Sequence, residues 1–446
     1  MLIRLLFLLI LPEIISCAFI LDKIGEQPLE YNVKQKNQKT YCPKSTSSRL
    51  VSSNQSTNHH YQTFLTDEKS KGIAYQFVDQ IVLWSLIQLN LRPDAVTPES
   101  QLQLLIKNEN KEVKYFEFSN SLNTDTSNSL PTYLLGLEHL LHAYKSKYSL
   151  LQLAQNLDSR FLYKYPVNED FFNFLNKYHH AISKSIKLKQ YFFKGDDYLR
   201  MGESLPKLQF SQIIKNFIHD LPQKTSPRIR TSLISFSPLK NESGKNKLTV
   251  DCNYDMSVYE NSIYPLSSQD LRSHMFGLEL GHDSYFLAIS GQDIKNISGL
   301  KKTMFFQGTP PLRGPGLCHL KLVNEKSNAN LFELSLISTD GRDPGQHLFH
   351  IFKYNLINAR SIKDIDAILK KSRHLFLTSP IRLVYESDRD APRTLDELYK
   401  LGIPIYHAAS LGKVWAHFSR PDTENKIIES GLLIDDRAPG HLLCIP

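Results

Sequence analysis

GLCHLKLVNEKSNANLFELSLISTDGRDPG, residues 316–345, and GKVWAHFSRPDTENKIIESGLLIDDRAPG, residues 412–440, read as two copies of one pattern. Each runs through a polar-alternating strand, a charged turn, an apolar strand and a closing Asp-x-Arg-x-Pro-Gly turn. A Gly-x-Pro precedes both, as Gly308-Thr309-Pro310 and Gly402-Ile403-Pro404. The repetition predicts two similar halves packed face to face, with a site on their seam. Side chains alternate along a strand, so His319 and Lys321 share one face of Leu317–Val323, while Cys318, Leu320 and Leu322 point to the core. In the second copy Val414, Ala416 and Phe418 form the core face, and Trp415 and His417 face the seam.

Outward from the repeat, strands alternate with helices. Ile229–Phe236, Leu248–Cys252, Tyr285–Ile289, His350–Leu356, Ile381–Tyr385 and Pro404–Tyr406 have strand character, and Ser361–Lys371 and Thr394–Leu401 have helical character. That order predicts an α/β layer with mixed sheets. Before it, from about residue 60 to 220, the apolar period is helical. Ile73, Phe77, Ile81, Trp84, Ile87 and Leu91 form one stripe that Pro93 ends, and another begins after Pro131. The expected fold class is therefore α + α/β: an N-terminal all-helical module, then a two-half α/β domain. The expected boundaries are a signal peptide over 1–18, a disordered tether over 19–58, the helical module over 59–228, and the halves over 229–350 and 351–446.

Residues 350–440 resemble the phospholipase D superfamily. The resemblance rests on Ile381-Arg382-Leu383-Val384-Tyr385-Glu386-Ser387-Asp388-Arg389, on Leu395 through Gly402-Ile403-Pro404-Ile405, and on the strand that follows. It implies a pseudodimer in which each half supplies a His and a Lys. One His attacks phosphorus, the other protonates the leaving oxygen, and the lysines neutralise the non-bridging oxygens. The first copy supplies His319 and Lys321. In the second, Trp415 stands opposite His319 and His417 opposite Lys321, so the motifs are degenerate. A register shift makes His417 the second histidine, with Asp422 orienting it and Lys413 standing in for the missing lysine. Losing one preorganised charge of this kind costs on the order of 100-fold to 1000-fold in rate. The pseudodimer requires His319 and His417 on facing strands within about 10 Å.

The N-terminus reads as an export signal: Arg4 is followed by an apolar run from Leu5 to Leu11, too short to span a bilayer. Ile14-Ile15-Ser16-Cys17 resembles a bacterial lipobox that would lipidate Cys17, while Ser16-Cys17-Ala18 also suits ordinary cleavage. Beyond Cys17 stand Cys42, Cys252, Cys318 and Cys444, which in an oxidising compartment allow three pairings. For Cys318 a free core thiol is an equal reading. The formal charge is +8 over 446 residues. That balance suits an anionic ligand or membrane surface, and no basic-aromatic stripe points to specific nucleic-acid binding.

Other constellations carry less chemistry. His139 and His142 stand one helical turn apart but have no third ligand by sequence, so no metal or cofactor is expected. No Gly-x-Ser-x-Gly elbow anchors a hydrolase triad. The Lys184–Lys194 run reads as a solvated helix face. The expected function is an exported, lipid-anchored phospholipase D-like protein of the cell envelope that binds or slowly cleaves an anionic phosphodiester or phospholipid. The alternative is a non-catalytic envelope binding or structural lipoprotein. A protein partner is not indicated by sequence.

Overall fold

The computed structural model describes residues 40–42, 48–52, 54–109, 112–119, 130–161, 164–184, 186–218, 227–236, 246–261, 271–281, 283–293, 316–339, 343–353, 356–378, 381–386, 389, 399–400, 402, 404–408, 410–422, 426–437 and 440–445. The expected signal peptide with Cys17, the Gly308-Thr309-Pro310 motif, the expected turn at 340–342 and most of the expected Thr394–Leu401 helix lie outside the described residues.

Two sheets lie face to face, with helices on the outer face of each. The first sheet has seven strands in the order β18-β1-β9-β10-β2-β3-β6. These are β1 (Ser48–Ser52), β2 (Gln101–Lys107), β3 (Lys114–Ser119), β6 (Arg228–Arg230), β9 (Leu271–Leu280), β10 (Ser284–Asp293) and β18 (His441–Ile445). The second has six strands in the order β17-β16-β12-β11-β8-β7: β7 (Ile234–Phe236), β8 (Asn246–Cys252), β11 (Gly316–Asn324), β12 (Asn330–Thr339), β16 (Lys413–Pro421) and β17 (Ile427–Ile434). A small sheet of β13 (His374–Thr378), β14 (Ile381–Tyr385) and β15 (Ile405–His407) and a hairpin of β4 (Phe193–Lys194) and β5 (Asp197–Tyr198) complete the strands described.

Helices α1 (Gln55–Ser70), α2 (Phe77–Leu91), α3 (Thr132–Ala143), α4 (Leu150–Arg160), α5 (Glu169–Ser183), α6 (Ile186–Phe192) and α7 (Phe210–Ile218) pack on the seven-stranded sheet. Helix α8 (Val258–Asn261) is one short turn, while α9 (Pro344–Lys353) and α10 (Ile362–Leu369) cover the six-stranded sheet. The mixed helix-and-sheet class expected from the pattern is what forms.

Period-2 alternation explains the layering. In β9 and β10, Phe276, Leu278, Phe286 and Ala288 enter the helical core, whereas Met275, Tyr285, Leu287 and Ile289 enter the layer between the sheets. In β11 and β16, Cys318, Leu320, Leu322, Val414, Ala416 and Phe418 face α9 and α10, as their alternation predicts. Helix α2 is apolar nearly all round, and such a helix must be buried all round. It lies at the centre of the helical layer, from Phe77 at its start to Leu91 at its end, just before Pro93.

Several expectations are corrected. The 59–228 module is not all-helical: QLQLLIK and KYFEFS are β2 and β3, with Leu102, Leu104 and Ile106 inward and period 2 rather than 3.6. Strand β2 pairs with β10, so this segment belongs to the central sheet. The 19–58 tether is structured at its end, because β1 is hydrogen-bonded between β18 and β9 and Cys42 is disulfide-bonded to Cys444. Cys252 pairs with Cys318 across β8 and β11, which decides against a free thiol at 318. The described part of His350–Leu356 is not a strand. Pro344 starts α9, and Leu348, Ile351 and Phe352 fall on its buried side, a short apolar run that periodicity alone assigns either way.

The division at 350/351 into facing halves also fails. The two repeat hairpins lie side by side in one sheet, β11-β12 beside β16-β17, with β12 paired antiparallel to β16. The copies are related by a shift of two strands across that sheet. Equivalent residues therefore share a face instead of opposing each other, and the layer they face is closed by β9, β10 and β2. Mixed pairing occurs in the small sheet, where β14 and β15 are parallel.

Candidate functional site

Register brings the two repeat histidines close. Residue His319 pairs with Ser335, and Ser335 pairs with His417, so the three stand in a row across β11, β12 and β16. Two strand spacings separate the histidine Cα atoms by roughly 10 Å. They are not on facing strands: both point from one sheet toward the other.

Opposite this row stands Tyr285 from β10. Its hydroxyl shares a 2.6 Å hydrogen bond with Ser335 Oγ, which also lies 3.0 Å from His319 Nδ1. The Tyr285 ring stacks on His417 with centroids 3.7 Å apart. On the far side Glu279 Oε1 of β9 lies 3.4 Å from His417 Nε2 and accepts from Ser430 Oγ at 2.7 Å. At the other end Glu333 binds Lys107 Nζ at 2.6 Å and lies 3.6 Å from Lys321 Nζ.

Burial divides the row. Ser335 is fully buried and His417 is 1 % exposed, while the Lys321 side chain is 34 % exposed. His319, at 5 %, lies between these extremes, and its Nε2 has no hydrogen-bond partner among the described residues. Burial lowers the His319 pKa to about 4; Lys321 and Lys107 add to that and Glu333 opposes it. The imidazole is therefore neutral near pH 7. Burial also pushes the Tyr285 phenol upward, so it stays protonated. Burial disfavours the Glu333 carboxylate, but Lys107, His319 and Lys321 outweigh that and hold its pKa below the usual value.

The remaining expected residues do not join this site. Trp415 does face the inter-sheet layer, but it is packed there with Leu317, Ile337, Leu432 and Ile434 and presents nothing to a ligand. Lys413 is buried with its Nζ 3.6 Å from Asp170 Oδ1, beside the Arg92–Asp170 ion pair. Four residues of strand put it roughly 13 Å from His417. Asp422 closes the β16–β17 turn by accepting from the Lys426 backbone at 2.9 Å, and the carboxylate beside His417 is Glu279. Cys17 lies outside the described residues.

The sequence reading missed Glu279, Tyr285, Ser335, Glu333 and Lys107. Polar positions on the inward parity of β12 (Glu333, Ser335) were a local signal. Glu279, Tyr285 and Lys107 come from the other sheet, and nothing local pairs them with the repeat.

A second polar cluster lies behind the six-stranded sheet. Arg437 binds Glu386 at 2.6 Å and Asp435 at 2.9 Å, and Arg373 binds Asp435 at 2.6 Å, all fully buried. Glu386 also accepts from the backbone of Arg373 and Leu411. Asp435 and Arg437 are the Asp and Arg of the closing turn in the second repeat, and with Arg373 and Glu386 they hold β14, the start of β16 and the β17 exit together. The Asp435 carboxyl is held far below the usual range: burial opposes its charge, and Arg373 and Arg437 overcome that.

Among the described residues no group of three or more His, Cys, Asp or Glu is placed to hold a metal ion. No helix among them is long and apolar enough to cross a membrane.

No family model and no curated protein sequence matches the chain. Solved structures that share its fold include two titled for LmbA2991. "Structure of LmbA2991HD" superposes with a TM-score of 0.61 at 10% identity, covering 92% of this chain and 99% of that one. "Structure of LmbA2991T421A" gives 0.58 at 10% identity, with the same coverage. At that identity the likeness is one of fold alone. The gamma-glutamyltranspeptidase of Helicobacter pylori covers 40% of this chain and 53% of its own at 17% identity, with a TM-score of only 0.29.

Proposed function

We propose that this is an exported, disulfide-stabilised cell-envelope protein that binds an anionic group, such as a phosphodiester, at the open end of the inter-sheet row. The supporting observation is the uneven exposure of that row. Lys321 reaches solvent and, among the described residues, makes only a long contact with Glu333, which Lys107 already neutralises. Next to it His319 offers a buried ring nitrogen without a hydrogen-bond partner among the described residues. Ser335 and His417, by contrast, are sealed and engaged with Tyr285 and Glu279. One histidine and one accessible lysine can hold an oxyanion. A two-histidine displacement needs both rings at the same phosphorus, and here Ser335 and Tyr285 occupy the space between them. Paired cysteines favour an oxidising compartment, and acylation at Cys17 would place the protein on a membrane.

A slow phospholipase D-like phosphodiesterase is the second reading, favoured by His319 and Lys321 sharing one face of β11 as that family's chemistry requires. The two separate in one experiment. Purified protein is titrated with a soluble phosphodiester and assayed for its hydrolysis, beside His319→Ala and Lys321→Ala. Binding weakened about tenfold by Lys321→Ala without turnover supports the binding reading, since charged hydrogen bonds are worth about 1.5–3 kcal/mol. Turnover abolished by His319→Ala establishes the enzymatic one. Absence of turnover, with affinity equal in all three proteins, removes both.

A further inference from the structure

We propose that α6 and the β4–β5 hairpin form a docking surface for an anionic lipid bilayer, independent of the inter-sheet row. Among the described residues the large apolar side chains left open to solvent concentrate in this segment. Ile186 is 77 % exposed, Met201 64 % and Tyr191 41 %, and the first two exceed every other such residue. The surface beneath them is anchored. Leu188, Phe192 and Leu199 are buried in the helical core, and the ion pairs Lys189–Asp196 and Lys194–Glu203 tie the helix and its flank to the hairpin.

The charge around these apolar residues selects the occupant. The described side chains of residues 177–203 include five basic ones (Lys177, Lys184, Lys189, Lys194, Arg200) against three acidic ones (Asp196, Asp197, Glu203). A second copy of the chain docking through the same patch would set like charges against each other. An anionic bilayer accepts both components: apolar side chains enter the headgroup boundary while Lys and Arg remain among the phosphates. A single acyl chain anchors a protein only marginally, and a basic patch is the kind of second signal that makes such anchoring stable.

The test uses the full chain carrying Cys17→Ser, so that no acyl chain contributes. It is sedimented with vesicles of phosphatidylcholine alone and with vesicles containing about 30 % phosphatidylglycerol, a surface that attracts Lys and Arg. The wild-type patch should favour the anionic vesicles, and that preference should fall as salt is raised. Lys184→Glu/Arg200→Glu should weaken partitioning at least about tenfold. Ile186→Ser/Met201→Ser should weaken it on the same vesicles, and all four positions are exposed, so folding is spared. Equal partitioning of wild type and both variants, or equal partitioning onto neutral and anionic vesicles, overturns the proposal. So does a lipid-independent dimer that Ile186→Ser/Met201→Ser converts to monomer, which would make the patch a contact between copies.

Discussion

The Tyr285 ring lies flat on His417, with centroids 3.7 Å apart and planes 12° from parallel. One residue belongs to each sheet, and the hydroxyl of the same tyrosine reaches Ser335 between the two histidines. The contact therefore joins the sheets through the polar row itself. Removing only the hydroxyl, in Tyr285→Phe, should cost about 1 kcal/mol for a lost buried hydrogen bond. Removing the ring, in Tyr285→Ala, should cost about 3–5 kcal/mol. Urea unfolding of the two variants checks the ratio, and equal losses would place the stabilisation in the hydroxyl instead of the stack.

Acid sensitivity follows from His319. Its folded pKa of about 4 lies below the ordinary histidine value of 6.5, so the unfolded chain takes up the proton first as pH falls. Stability is thus undiminished above pH 6.5, declines between 6.5 and about 4, and gains no further loss from this residue below that. The decline attributable to it is roughly 3 kcal/mol at full shift. His319→Gln should flatten the stability curve in that window, measured by denaturant midpoint at stepped pH.

The Arg373–Asp435–Arg437–Glu386 cluster should tolerate no single deletion. Arg437→Met leaves the Glu386 carboxylate buried with its guanidinium partner gone, and breaking such a pair typically costs about 3–5 kcal/mol. Thermal unfolding reads the loss. A variant within about 0.5 kcal/mol of wild type, the range of ordinary surface substitutions, would mean the cluster is solvated in solution.

The Cys42–Cys444 disulfide closes the chain on itself across a sequence separation of 402. Opening it with Cys42→Ser/Cys444→Ser should destabilise by about 2–5 kcal/mol, most of it through the freer unfolded chain. The expected signature is a lower denaturation midpoint with unchanged far-ultraviolet circular dichroism. A changed spectrum would instead show that β1 and β18 need the bond to form.

Gly412 has φ of +65°, and a Cβ there would collide with the buried His347 ring. Gly412→Ala should therefore cost about 2 kcal/mol or more from backbone strain and overpacking together. The adjacent Leu411→Val, a volume change without a change of φ, is the control, and equal stability of Gly412→Ala and wild type would deny the close approach.

Local pattern carried much of this protein. The faces of β11 and β16 follow from alternation within nine residues, so Cys318, Leu320 and Leu322 sit in the core as expected and His319 and Lys321 do not. Helix α2 ends where Pro93 removes a donor. The same local rules misled where a short apolar run suits either state, as in α9. Strands β2 and β3 have period 2, but the stretches on either side of them have the helical period. The two strands pair with each other, but their outer neighbours in the sheet, β10 and β6, are distant in sequence.

Sequence by itself determined which segments alternate, which side of each repeat strand is apolar, and where helices stop, because those depend on residues a few positions apart. Only the tertiary structure decided that the two repeats lie in one sheet, that His319 and His417 flank Ser335, and that Glu279 rather than Asp422 stands beside His417. A strand's hydrogen-bonding edges are the same whatever neighbour they meet. The choice of neighbour is made by burial of whole faces against one another, a property of the assembled layers that no stretch of chain contains.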